Sequence, residues 1–104
     1  MEIKRIKVDK NVTPIHYRKR TPIDAKVGEK YFHHIGRNYV KPCIVTEIYW
    51  EGDRKRIVVG IPARLKLKNP VDVNDFNNYH LDEFCLHCDE IGRTPEEAVR
   101  HAIA

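Results

Sequence analysis

The stretch between Cys43 and Ile61 limits the possible folds of this chain more than any other. Two strand-like runs, Cys43 to Trp50 and Arg56 to Ile61, flank the polar loop Glu51-Gly52-Asp53. A short glycine-containing loop in that setting is a hairpin signal. In the first run Ile44, Thr46, Ile48 and Trp50 fall on one face and Val45, Glu47 and Tyr49 on the other, which is the period of a half-buried strand. The pattern extends on both sides. Lys30 to Ile35 leads into a turn at Gly36-Arg37-Asn38, and Ile3 to Val8 reads as an earlier strand. Arg64-Leu65-Lys66-Leu67-Lys68 alternates apolar and cationic residues, and Leu81 to Leu86 is placed to close the sheet. Pro14 and Pro22 bracket an extended arm or edge strand, because proline cannot donate to a central ladder.

The last segment carries a different signal. Thr94-Pro95-Glu96-Glu97 combines an N-cap threonine, proline at the first helical position and glutamate at the third, a capping box in good register with the helix dipole. Ala98, Val99, Ala102 and Ile103 follow at helical spacing, so one short helix docks on the sheet. Five or six short strands and one terminal helix in 104 residues predict a mainly β protein, a small SH3-like barrel in a single domain. Its parts are a strand and basic arm over 1–26, a barrel core over 27–68, an acidic segment over 69–93 and the helix over 94–104.

Charge is divided unevenly along that layout. Residues 1–70 hold 17 Lys and Arg against 7 Asp and Glu, a net of +10, whereas residues 71–104 hold 2 against 8, a net of −6. Such a basic excess implies an anionic partner. Three clusters carry it: Arg18-Lys19-Arg20 on the arm, Arg54-Lys55-Arg56 at the hairpin, and Arg64, Lys66 and Lys68 on a strand face. Brought together with Tyr17, Tyr49 and Trp50, they would bind phosphates by counterion release and stack on bases. The same residues also suit an acidic protein surface or the plain protection of strand edges. Conversely, residues 71–93 offer an acidic face to a basic partner, such as a nucleic-acid-processing protein.

Other chemistries find less support. The chain has no serine and no glutamine, which removes serine nucleophiles, and its five glycines are too widely spaced for a phosphate-cradling loop. No uncharged run exceeds seven residues, too few for a membrane helix or a signal-peptide apolar region. Three cysteines, an odd number, do not form a secreted disulfide framework, and a reducing cytoplasm is expected. Cys85 and Cys88 are spaced to chelate zinc if His80, His87 or Cys43 completes the set, but strong zinc signatures contain two such pairs. The alternative is that Phe84, Leu86 and Cys88 simply pack inward. His33-His34 offers a general base or metal ligand without a spaced carboxylate partner.

Two resemblances can be stated on quoted residues. Val27-Gly28-Glu29-Lys30-Tyr31-Phe32, Val45-Thr46-Glu47-Ile48, Arg56-Ile57-Val58-Val59 and Thr94-Pro95-Glu96-Glu97-Ala98 resemble the small SH3-like barrel proteins of phages and bacterial mobile elements. The opening strand, Lys41-Pro42-Cys43-Ile44-Val45 and Ile57-Val58-Val59-Gly60-Ile61-Pro62 are similar in layout to the MazF/PemK toxin ribonucleases. The second resemblance implies RNA cleavage by Lys41, His33 or His34, and Arg37. It departs from that family where Lys41 replaces an arginine and Pro62 or Ala63 a threonine. The expectation taken forward is a binding module without catalytic residues or cofactor, acting through its basic face.

Overall fold

The computed structural model describes residues 5–62 and 81–102, leaving aside the side chains of Tyr17 and Pro62. Their fold is mainly β. The elements are β1 (Ile6–Lys7), a 3-10 turn (Tyr17–Lys19), β2 (Lys30–Gly36), β3 (Tyr39–Glu51), β4 (Arg54–Pro62), β5 (Leu81–His87), β6 (Ile91–Gly92) and α1 (Pro95–Arg100). All pairings are antiparallel, in the order β5-β4-β3-β2-β6, with β1 beside the start of β3. Among the described residues β5 and β6 do not pair, so the sheet is open where sequence reasoning anticipated a closed barrel.

The hairpin forms as anticipated and is tighter than the loop suggested. Glu51 pairs with Arg54, leaving Gly52-Asp53 as a two-residue turn, and Gly52 adopts φ 66°, the left-handed region that turns of this length demand. The strict alternation read across β3 is corrected. A bulge at Thr46 separates Val45, opposite Val59, from Glu47, opposite Val58. One extra residue reverses the parity beyond it. Val45 and Ile48 therefore pack on the same core, whereas the uninterrupted period put them on opposite faces. Pro42 is tolerated inside β3 because it stands between the part covered by β1 and the part covered by β4.

Two apolar clusters grip opposite faces of β2 and β3. Tyr31, Cys43, Val45, Ile57, Val59, Ile61, Cys88 and Ile91 pack beneath Ile23 and Ala25 of the arm. On the other face Val40 and Phe32 meet Val8, Ala98 and Val99, so α1 docks against the β2–β3 pair. The helix start matches its sequence signal: Thr94 Oγ1 accepts from Glu97 N at 3.2 Å. Glu97 reaches back one residue further than a standard capping box, and its Oε1 accepts from Arg93 N at 3.1 Å. The arm itself is not a strand. It runs irregularly through the 3-10 turn, tied to the far end of the fold where Ile15 N donates to Arg100 O at 2.8 Å.

Candidate functional site

The anticipated basic clusters prove to be unequal in role. Arg20 is buried, with its Nη2 donating to Ala102 O at 2.8 Å and its Nε reaching Ile15 O at 3.5 Å, so it ties the arm to the chain beyond α1. Arg56 is on the sheet face away from the main core, 3.8 Å from Glu51 and 3.4 Å from the Cys85 sulfur. Lys55 continues the inward row of Ile57, Val59 and Ile61; its Nζ stands 3.6 Å from Asp24 Oδ1 and 3.5 Å from Ala25 O. Arg18, Lys19 and Arg54 are exposed. Arg64, Lys66, Lys68 and His80 lie outside the described residues, as does the Tyr17 side chain.

Lys55 closes one side of a groove of about 440 Å³. Pro22, Ile23 and Asp24 form its arm wall, the hairpin supplies Arg54 and Lys55, and the end of β5 and the following turn supply His87, Cys88 and Asp89. The arm is held there by Ile23 N, which donates to Cys88 O at 3.0 Å. Arg18 is four residues before Pro22, so the two are at most about 14 Å apart along an extended chain. The hairpin cations Arg54 and Lys55 line this concavity, whereas Arg18 and Lys19 are not among its lining residues. Beside it Trp50, opposite Lys55 in the strand register, is 66% exposed.

The Cys85/Cys88 pair does not converge. Cys85 is exposed, its sulfur 2.8 Å from Tyr49 Oη and 3.4 Å from Arg56, whereas Cys88 is buried in the main core. Spacing that would suit a chelating turn here straddles the end of β5, where successive side chains alternate faces. Among the described residues no three His, Cys, Asp or Glu side chains gather where a metal could be held. Burial pushes the Cys43 thiol up to about 12 and raises Cys88 as well. A thiol reagent added to the native protein at neutral pH is therefore expected to modify Cys85 alone, with Cys43 and Cys88 reacting only in denaturant. Peptide mapping by mass spectrometry checks this, and labelling of Cys88 as fast as Cys85 would contradict it.

A smaller cavity of about 120 Å³ lies between His33, His34, Leu86, Glu90, His101 and Ala102. Burial, and then the neighbouring His34, lowers the His33 pKa below the usual imidazole value of 6.5. His101 Nδ1 is 2.9 Å from Ile91 O and His34 Nε2 contacts Arg37 O, so both rings have local structural partners. Lys41 is opposite His33 in the register, and Arg37 occupies the β2–β3 turn at φ 47°.

Sequence reasoning missed the two carboxylates of the larger groove. Asp24 was not singled out, and Asp89 falls in the acidic segment over 69–93. No local pattern links them, because the groove joins three segments distant in sequence. No protein-family model matches the chain, and no curated protein or solved structure is significantly similar to it. What fold and site together define is a small mainly β protein, with an antiparallel sheet, one short helix and a mixed-charge groove beside an exposed indole. No helix among the described residues is long and apolar enough to cross a membrane.

Proposed function

We propose that this protein is a non-enzymatic binding module of SH3-like curvature whose β3–β4 hairpin and adjoining groove bind single-stranded nucleic acid. The curvature is supported by the bulge in the long β3 strand and by the rings of His33 and Phe84, on β2 and β5, lying 6.3 Å apart although β3 and β4 intervene in the sheet. The observation that carries the functional reading is Trp50. A large aromatic surface left 66% exposed, opposite Lys55 and near exposed Arg54, has the makeup of a base-stacking platform with phosphate contacts beside it.

Trp50 is the only tryptophan, so intrinsic fluorescence reports on the site directly. Titration with a single-stranded oligonucleotide is expected to quench it. If about three phosphates are neutralised, raising salt from about 50 to 200 mM should weaken binding about twentyfold. Trp50→Ala should cost at least about fivefold in affinity, read by anisotropy of a labelled strand. Salt-independent binding, or none, would remove the reading. Equal binding of polyglutamate would transfer it to acidic protein surfaces, and strand cleavage in the presence of chelator would favour the ribonuclease resemblance instead.

A further inference from the structure

We infer that Asp24 is a built-in competitor of the bound strand: its carboxylate holds Lys55 in the free protein and yields it to a phosphate of the ligand. This rests on the nucleic-acid reading above. The hairpin lines the groove with the cations Arg54 and Lys55, and the arm wall supplies Asp24. Lys55 Nζ stands 3.6 Å from Asp24 Oδ1 and 3.5 Å from Ala25 O. The cation opposite Trp50 in the register is thus already occupied by an anion of the same chain.

The pair is built to exchange. Its Asp24 side chain is 80% exposed, and an ion pair so open to water is weak. Asp24 stands between Ile23 and Ala25, both buried, and Ile23 N donates to Cys88 O at 3.0 Å. The arm backbone therefore stays in place while the carboxylate swings away. Lys55 keeps a contact throughout, because an ammonium has three donors and Ala25 O takes only one. Its single positive charge cannot serve two anions equally, and a phosphate arriving beside Asp24 meets a like charge. The strand gains Lys55 by displacing the carboxylate, so its affinity is reduced by the fraction of molecules in which the ammonium is free. Asp24 in this way sets how strongly the groove holds a phosphate, without itself touching the ligand.

The test is the affinity of the full chain for a deoxythymidine octamer, read by Trp50 fluorescence at about 150 mM salt, where exposed charges more than about 8 Å apart are largely screened. Asp24→Asn keeps the shape, removes the charge and disturbs no packing at this exposed position. It is expected to bind about two- to sixfold tighter, the gain from freeing a cation held by a weak exposed pair. With Lys55→Met as the starting protein, the same substitution should change affinity by less than about 1.5-fold, since no ammonium remains to be freed. Asp53→Asn is the charge control: it removes a carboxylate from the hairpin turn outside the groove lining and should also stay below about 1.5-fold. Equal gains from Asp24→Asn and Asp53→Asn, or a gain that survives Lys55→Met, would reduce the effect to overall charge and overturn the inference. Unchanged affinity of Asp24→Asn would overturn it too, and in each of these cases nucleic-acid binding stands. Absence of binding by the unmodified protein and by every variant would overturn both.

Discussion

Gly92→Ala is expected to destabilise the protein by about 3 kcal/mol, at the upper end of what overpacking costs. Gly92 pairs with Phe32 at the sheet edge, and α1 crosses directly over it. A Cβ built on Gly92 would lie 2.2 Å from Ala98 N and 2.8 Å from Ala98 Cα and Glu97 C. All three atoms are backbone, so no side-chain rotation relieves the overlap. The helix must lift from the sheet, and Ala98 and Val99 leave the cluster they share with Val8 and Val40. In urea the midpoint should fall by about 1 to 3 M, given the usual slope for a small domain. Gly60→Ala is the control. Its new Cβ would meet Leu81 Cδ1 at 2.9 Å, which can rotate away, and Leu81 Cβ at 3.2 Å, which must give by a few tenths of an ångström, so the cost should be well below that at Gly92. Equal midpoints for Gly92→Ala and the unmodified protein would show that α1 does not dock as described.

Arg20→Met is expected to lower stability by about 2 kcal/mol, the scale of a hydrogen bond from a charged donor. Methionine keeps much of the side-chain volume but deletes the guanidinium that donates to Ala102 O, leaving that carbonyl without this donor. Strand affinity of the folded protein should change by less than about twofold, because Arg20 is buried. Denaturation in urea and a binding titration on the same sample separate the two effects. Lost affinity with an unchanged midpoint would place the guanidinium at the ligand after all.

Arg20 also shows where the sequence stops being informative. Inside Arg18-Lys19-Arg20 nothing distinguishes the buried cation from its exposed neighbours, since the distinction comes from Ala102, 82 residues away. Local signals were legible: the Gly52 turn and the Thr94 cap are set by residues within three or four positions, and both form where those residues stand. Thr46 was not legible as a bulge, because a β-branched residue fits an uninterrupted strand equally well. The two-residue β6 is too short to show any period. At the candidate site Trp50, Arg54 and Lys55 were readable as a hairpin tip, whereas the facing carboxylates required the fold to bring the arm and the β5 end together. The Cys85/Cys88 spacing was visible, but the alternation of side chains along β5 decides that the two sulfurs go to different surroundings.

The clasp between residues 15–20 and 100–102 has a consequence for biosynthesis. Ile15 and Arg20 find their partners only after more than 80 further residues have been translated, at about 5 to 20 residues per second a wait of roughly 4 to 16 s. During that interval the basic arm leaves the ribosome without its anchor. Nascent chains stalled before residue 100 should be cut by trypsin after Arg18 and Lys19, and chains extended past Ala102 and free of the exit tunnel should resist.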